Sequence, residues 1–205
     1  MPTKPYLIGI CGGSGSGKTF LLQQLIKNLN SEEITLISQD NYYHPIEQQR
    51  KEADGLTNFD HPESVNLDRL ANDVRLILKG EAVTIQEYTF NNPLASAETI
   101  TMKPAPIIIV EGLFVFLHPE LSKLIDLKIF VEAHEHIRLA RRLRRDATER
   151  NYSFDSVLRD WERFVAPMYR QYVEPTKYDC DLIIPNHSHM YRAVKVLMNH
   201  IQTLR

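Results

Sequence analysis

The sequence predicts one α/β domain built on a mainly parallel sheet with helices on both faces. Short, fully apolar runs of strand length recur along the chain, and segments with apolar residues at helical spacing separate them. Size agrees: 205 residues at 43% hydrophobic composition suit a single domain over residues 1–205, with a core that needs no disulfide or structural metal.

Tyr6–Cys11 (YLIGIC) is the first buried strand. Lys18–Leu29 follows as a helix, with Leu21, Leu22, Leu25, Ile26 and Leu29 at its apolar positions. Ile34–Ser38 reads as the second strand. Asp40–Asp60 mixes Asn, Tyr, Pro, Gly and charges without a sustained period, and is expected to be loop-rich. Leu67–Leu78 is helical, with Leu67, Leu70, Val74 and Leu78 on one side and Gly80 marking its end.

Ala82–Tyr88 alternates like a half-exposed strand, and the polar Asn91–Lys103 suits a hairpin over the surface. Ile107–Val110 is apolar on every position and Leu127–Val131 on all but Lys128, as strands covered on both faces require. His134–Arg150 is a long arginine-rich helix. Phe154–Val173 is a further helix that Pro167 should kink or reset. Asp181–Ile184 is the last strand and Tyr191–Leu204 the closing helix. Tyr42–Asn66 and Ala82–Lys103 are read as insertions over the functional edge of the sheet.

The bulk numbers exclude several classes. A net charge of −2 gives no basic face for nucleic acid. No apolar run approaches the roughly 18 residues of a spanning helix, and no leader segment is legible at the start, so a cytoplasmic protein without a membrane partner is the expectation. Cys11 and Cys180, far apart in sequence and in apolar surroundings, are expected as buried free thiols.

Chemistry enters at Gly12-Gly13-Ser14-Gly15-Ser16-Gly17-Lys18-Thr19, which satisfies G-x-x-x-x-G-K-[ST]. Glycines let the backbone wrap so closely that successive N–H groups face phosphate oxygens, and the next helix adds its positive end. Lys18 then reaches the β- and γ-phosphates, and the Thr19 hydroxyl takes one Mg²⁺ position. A chance glycine turn need not follow a strand and open a helix, as this one does. The expected architecture is therefore of the P-loop NTPase type, with a small β-hairpin insertion and an arginine-rich lid helix.

Two carboxylates should complete the site. Glu111 follows Ile107–Val110 at the carboxyl end of a buried strand, the edge where open α/β sheets bind ligands, and is a candidate for Mg²⁺. Asp40, two residues past Ile34–Ser38 at the same edge, could take the proton of an acceptor hydroxyl, or could be a turn residue bonding its own backbone. Arg138, Arg141, Arg142, Arg144, Arg145 and Arg150 fill one helix, with Arg138, Arg142 and Arg145 on one face. Guanidinium groups can neutralise a transferring phosphate, or simply pair with Glu135, Asp146 and Glu149.

In its ordered motifs the chain resembles the uridine–cytidine kinases of the phosphoribulokinase/uridine kinase family. The motifs are the phosphate loop, Ser38-Gln-Asp-Asn-Tyr-Tyr43, Asn58-Phe-Asp-His-Pro62, Tyr88 with Phe90, Glu111-Gly112, Arg138–Asp146, Glu149-Arg150, Pro175-Thr-Lys177 and Asp181-Leu-Ile-Ile-Pro185. The resemblance implies phosphorylation of a pyrimidine nucleoside at its 5′-hydroxyl by ATP or GTP with Mg²⁺, in a homo-oligomer, often a tetramer. It assigns Asp40 as base near the metal, Asp60 to the ribose hydroxyls, and Phe59, Tyr88 and Phe90 to the base, with Tyr43 also on the substrate side. Arg142 and Arg145 match arginines that approach phosphates and nucleoside.

The base-reading end departs from the family pattern. Asn91-Asn-Pro93 stands where a base-contacting His is usual, Tyr152 follows where an Arg is usual, and Asp160 replaces an amide. Relaxed discrimination between uridine and cytidine, or a preference for another ribonucleoside, is the expectation. Other acceptors on the same fold, a nucleotide-binding regulator without turnover, and a GTPase switch are the competing readings. Only Thr176-Lys-Tyr-Asp179, a [NT]-K-x-D match, speaks for the switch.

Overall fold

The computed structural model describes residues 4–27, 29–30, 32–89, 97–149 and 152–204. In chain order the strands are β1 (Tyr6–Cys11), β2 (Ile34–Ser38), β3 (Val83–Gln86), β4 (Thr99–Met102), β5 (Ile107–Gly112), β6 (Leu127–Glu132) and β7 (Leu182–Pro185). Five of them form one parallel sheet in the order β2-β5-β1-β6-β7. β3 and β4 stand apart as an antiparallel pair, with Val83 opposite Met102 and Gln86 opposite Thr99.

The helices are α1 (Lys18–Ile26), α2 (Leu67–Leu78), α3 (Pro119–Leu124), α4 (Glu135–Glu149), α5 (Phe154–Asp160), α6 (Ala166–Met168) and α7 (Tyr191–Thr203). Side-chain alternation in the central strands divides the core between the two faces of the sheet. Ile8, Ile10, Ile107 and Ile109 join Leu21 and Leu25 of α1 and Leu197 and Ile201 of α7 on one face. Leu7, Ile108 and Val110 join Leu70, Val74 and Ile77 of α2 with Phe114, Tyr169 and Val173 on the other. Each of these side chains contributes about 1.5–3 kcal/mol by leaving water. That two-sided burial is why β1 and β5 carry no polar residue until Glu111.

Four elements differ from the sequence expectation. α1 stops at Ile26, where the Lys27 N–H bonds back to Gln23 O. The hairpin strands are four residues each, shorter than Ala82–Tyr88 suggests. α3 is an addition: Pro119 opens it and His118 Nδ1 accepts from Leu121 N at 3.2 Å, a cap that short apolar content concealed. Pro167 resets rather than ends the long helix. The chain runs from α5 through a π-helical stretch (Trp161–Val165), α6 and a second π stretch (Tyr169–Val173). Proline removes one N–H and crowds the preceding turn, and the wider π register, with Ala166 N bonding to Trp161 O, accommodates it.

Candidate active site

The phosphate loop joins β1 to α1 at the middle of the sheet. Gly15 and Gly17 have φ of 75° and 104°, a left-handed backbone that L side chains rarely adopt. The loop also has no room for side chains: a Cβ on Gly13 would stand 2.3 Å from Arg138 Nη1, and one on Gly17 2.2 Å from Asn186 Nδ2. Its outer carbonyls are held in place. Arg141 Nη1 donates to Gly15 O and Ser16 O, each at 3.3 Å, and Asn186 Nδ2 donates to Ser16 O at 2.7 Å. Arg141 Nη2 in turn donates to Asn186 O at 3.0 Å. Lys18 folds back across the loop, its ammonium 2.8 Å from Gly12 O.

The carboxylates sit at the same edge, Glu111 on β5 and Asp40 just past the end of β2. β2 and β5 pair so that Ser38 lies opposite Glu111, and Ser38 Oγ donates to Glu111 Oε1 at 2.7 Å. Burial raises the Glu111 pKa; the Asp40 charge raises it further, and Lys18 and Ser38 act against both. Asp40 lies in a single 3₁₀ turn, Gln39–Tyr42, whose other members are tied down. Gln39 Oε1 accepts from Phe114 N at 2.6 Å, Asn41 Oδ1 from Tyr88 N at 3.1 Å, and Tyr42 OH donates to Asp73 Oδ2 at 3.0 Å. The turn thus sets the Asp40 carboxylate in the wall of the cleft.

That cleft has a volume of about 400 Å³. Ser14, Gly15, Gly17, Lys18 and Thr19 line its phosphate end, and Tyr43, Phe59, Asp60 and Tyr88 line the other. The Tyr43 ring lies 6.2 Å from Phe59, edge-on, and 5.2 Å from Tyr88. Burial, then the charges of Asp40 and Asp60, push the Tyr43 hydroxyl well above its ordinary pKa, so it stays a neutral donor. Phe90, with Asn91, Asn92 and Pro93, lies outside the described residues. Tyr152 and Asp160 line the cleft, as do Thr57, Val157 and Phe164, three residues the sequence alone gave no reason to choose.

The arginines of α4 divide. Arg142 and Arg145 line the cleft, with Arg141 beside them, whereas Arg138 is buried and lines none of it. Arg142 Nη1 donates to Ser14 Oγ at 3.2 Å and meets Asp60 Oδ1 at 3.5 Å, and its Nε is 3.2 Å from Asp146 Oδ2. Burial lowers the Arg142 pKa, but the Asp60 and Asp146 charges overcome it and the net shift is upward. Arg145 pairs with Asp146 at 2.8 Å. Pairing and cleft position therefore coexist: Asp146 orients two cations that still face the cleft. Sequence reasoning gave Asp146 only as a neutralising partner and missed Asn186, whose one available clue was its place just past the last strand at the ligand edge.

Among the described residues no group of three His, Cys, Asp or Glu side chains forms a metal cage. Thr19, Asp40 and Glu111 offer hard oxygens on adjoining elements. Such a set fits Mg²⁺, which keeps water ligands and takes one or two carboxylates together with phosphate oxygens. The Thr176–Asp179 run forms part of a 3₁₀ stretch, lines no part of the cleft, and places Lys177 on Glu132 at 2.9 Å, which removes the basis for a guanine site. Cys11 is buried and Cys180 half-buried, both free. No described helix is long and apolar enough to cross a membrane.

Residues 7–191 match the model of the phosphoribulokinase/uridine kinase family. The chain is 38% identical over 198 residues to the uridine kinase of Staphylococcus haemolyticus, spanning 97% of this chain and 96% of that protein. It is 35% identical over 204 residues to the uridine kinase of Streptococcus gordonii, spanning 100% and 97%. A possible uridine kinase from Bacillus stearothermophilus superposes with a TM-score of 0.64 at 15% identity, over 89% of this chain and 90% of that one. Phosphoribulokinase from Rhodobacter spheroides superposes equally at 0.64, with 17% identity, 89% of this chain and 70% of its own. At these identities the two superpositions establish the shared fold.

Proposed function

The chain belongs to the phosphoribulokinase/uridine kinase family, and from that premise we propose that its cleft transfers the γ-phosphate of ATP to the 5′-hydroxyl of a pyrimidine ribonucleoside. It is a nucleoside kinase, an activity whose usual role is pyrimidine salvage. One observation carries the finer reading: a single cleft joins a phosphate loop to an aromatic, carboxylate-bearing end, with Asp40 and Glu111 in its walls. Phe59, Tyr43 and Tyr88 suit the faces of a base, Phe90 is assigned to the same end, and Asp60 suits the ribose hydroxyls.

The roles follow from the chemistry. The loop N–H groups from Gly12 to Thr19 and the Lys18 ammonium bind the triphosphate. Thr19, Asp40 and Glu111 would hold Mg²⁺, which when bound offsets charge on the β- and γ-phosphate oxygens. Asp40 accepts the proton of the attacking 5′-hydroxyl as its oxygen bonds to the γ-phosphorus and the bond to the ADP oxygen breaks. Arg142 and Arg145, aimed by Asp146, neutralise charge spread over the equatorial oxygens. Arg142 also meets Asp60 and Ser14, so one side chain senses both the substrate end and the phosphate end.

The test is a panel of acceptors with ATP and with GTP under one set of conditions: uridine, cytidine, other ribonucleosides, pantothenate and phosphorylated sugars. Turnover confined to pyrimidine ribonucleosides is expected, with kcat/KM for uridine and cytidine within a hundredfold. The departures at Pro93, Tyr152 and Asp160 support that relaxed reading, because Pro93 donates no hydrogen bond and Tyr152 lacks the forked donors of Arg. Turnover only on a non-nucleoside acceptor would overturn the function. Rejection of cytidine beyond a hundredfold would overturn the relaxed pocket.

A further inference from the structure

The lid helix carries one arginine that the chemistry above leaves unused. Arg138 is 2% exposed, among the largest fully buried side chains of the protein. Its guanidinium carbon lies 3.6 Å from the centroid of the Tyr169 ring and 5.3 Å from that of Trp161. Nε and Nη1 donate to no acceptor among the described residues, and no carboxylate there forms an ion pair with it. Glu135 and Glu174 act on it only from a distance, and Glu135 is held by Arg170 at 3.1 Å.

A buried cation is ordinarily neutralised by a carboxylate. Aromatic faces stabilise a cation differently: they attract it without cancelling its charge. The fold has gone to some length to build this box. Trp161 opens the first π-helical stretch and Tyr169 the second, so the two register shifts around Pro167 deliver the two rings. The side chain so held stands directly behind the phosphate loop. A methyl added to Gly13 would lie 2.3 Å from Arg138 Nη1 and 2.8 Å from the Tyr169 ring, and one on Gly15 would lie 2.4 Å from the Arg138 carbonyl oxygen. Arg138 itself does not line the cleft.

We propose that Arg138 is a positioning residue of the phosphate loop: boxed by Tyr169 and Trp161, it backs Gly13–Gly15 and presents the loop with an unneutralised positive charge that strengthens triphosphate binding without touching the nucleotide. A carboxylate partner would supply the same packing and remove the field. The rings keep both. The inference rests on the Gly12–Thr19 loop holding the triphosphate, which binding by the unaltered protein tests separately.

The experiment measures binding of ATP, inorganic tripolyphosphate and uridine by calorimetry to the full chain carrying Arg138→Met or Arg138→Lys. The Met variant should weaken both phosphates at least tenfold while the uridine Kd stays within twofold. The Lys variant keeps the charge without the plane, and should bind both phosphates within threefold of the unaltered protein. Should the Met variant not fold, Arg138→Gln takes its place with the same expected loss. Phosphate affinity unchanged in the neutral variants, equal losses in Lys and neutral variants, or a parallel loss of uridine would each overturn the proposal. Phosphate binding absent from the unaltered protein would overturn the loop assignment and this inference together.

Discussion

Asp40 and Glu111 oppose one another electrostatically, and that opposition separates the needs of the reaction from those of the fold. The folded Glu111 carboxyl has a pKa above its ordinary value of 4.5, so its charged form is the unfavourable one in the ligand-free protein. Its contribution to stability is greatest below the unfolded pKa and is lost as pH rises through the folded one. Glu111→Gln should therefore leave the ligand-free Tm at pH 8 equal to or above that of the unaltered protein, while turnover with Mg²⁺ and ATP falls at least tenfold. A lowered Tm with turnover intact would mean that Glu111 serves the fold. Asp40→Asn keeps the shape of the anchored turn and removes the proposed proton acceptor, a role worth about 10²–10⁴-fold. A kcat reduced at least a hundredfold is expected, and near-normal kcat would end the base assignment.

At the scale of elements, the loop between β1 and α1 depends on what grips it from α4 and from the residue after β7. Asn186 reaches Ser16 O at 2.7 Å, its own carbonyl takes Arg141, and its N–H bonds to Glu132 O at 2.7 Å. Because Ser16 O keeps Arg141 as a donor, losing this hydrogen bond costs about 0.5–1.5 kcal/mol net. Asn186→Ala should accordingly raise the KM for ATP about two- to tenfold through a loosened loop, with the KM for the nucleoside nearly unchanged. A rise confined to the nucleoside would show that the grip does not govern the phosphate end. Arg141 still reaches Ser16 O in that variant, so the loop is weakened rather than lost.

For the whole molecule, substrate and fold are thermodynamically linked through the same cleft. A ligand that binds only the folded chain at a hundred times its Kd stabilises by about 2.7 kcal/mol. In a domain of this size each kcal/mol raises Tm by about 2–4 °C, so saturating ATP with Mg²⁺ should raise Tm by about 5–10 °C. Lys18→Ala should abolish most of that shift, since the ammonium that spans the loop mouth is gone. A full shift in the variant would place nucleotide binding elsewhere.

The alternation of strands and helices is written in the chain alone, because two-sided burial leaves no choice but continuous apolar runs. Tyr6–Cys11, Ile34–Ser38 and Leu67–Leu78 are legible to the residue. The phosphate loop is equally local, since glycine spacing followed by Lys18 and Thr19 is a demand of the backbone. The positions of Glu111 and Asp40 in the cleft wall were legible because strand ends mark the ligand edge. How the arginines of α4 divide depends on long-range packing. Helical spacing puts Arg138, Arg142 and Arg145 on one face, but it cannot say that the π-helical rings of Trp161 and Tyr169 enclose the first while Asp146 turns the other two toward the cleft. Asn186 and the short α3 escaped for the same reason. Their roles lie in partners more than a hundred residues away or in a single cap, and neither leaves a period in the sequence.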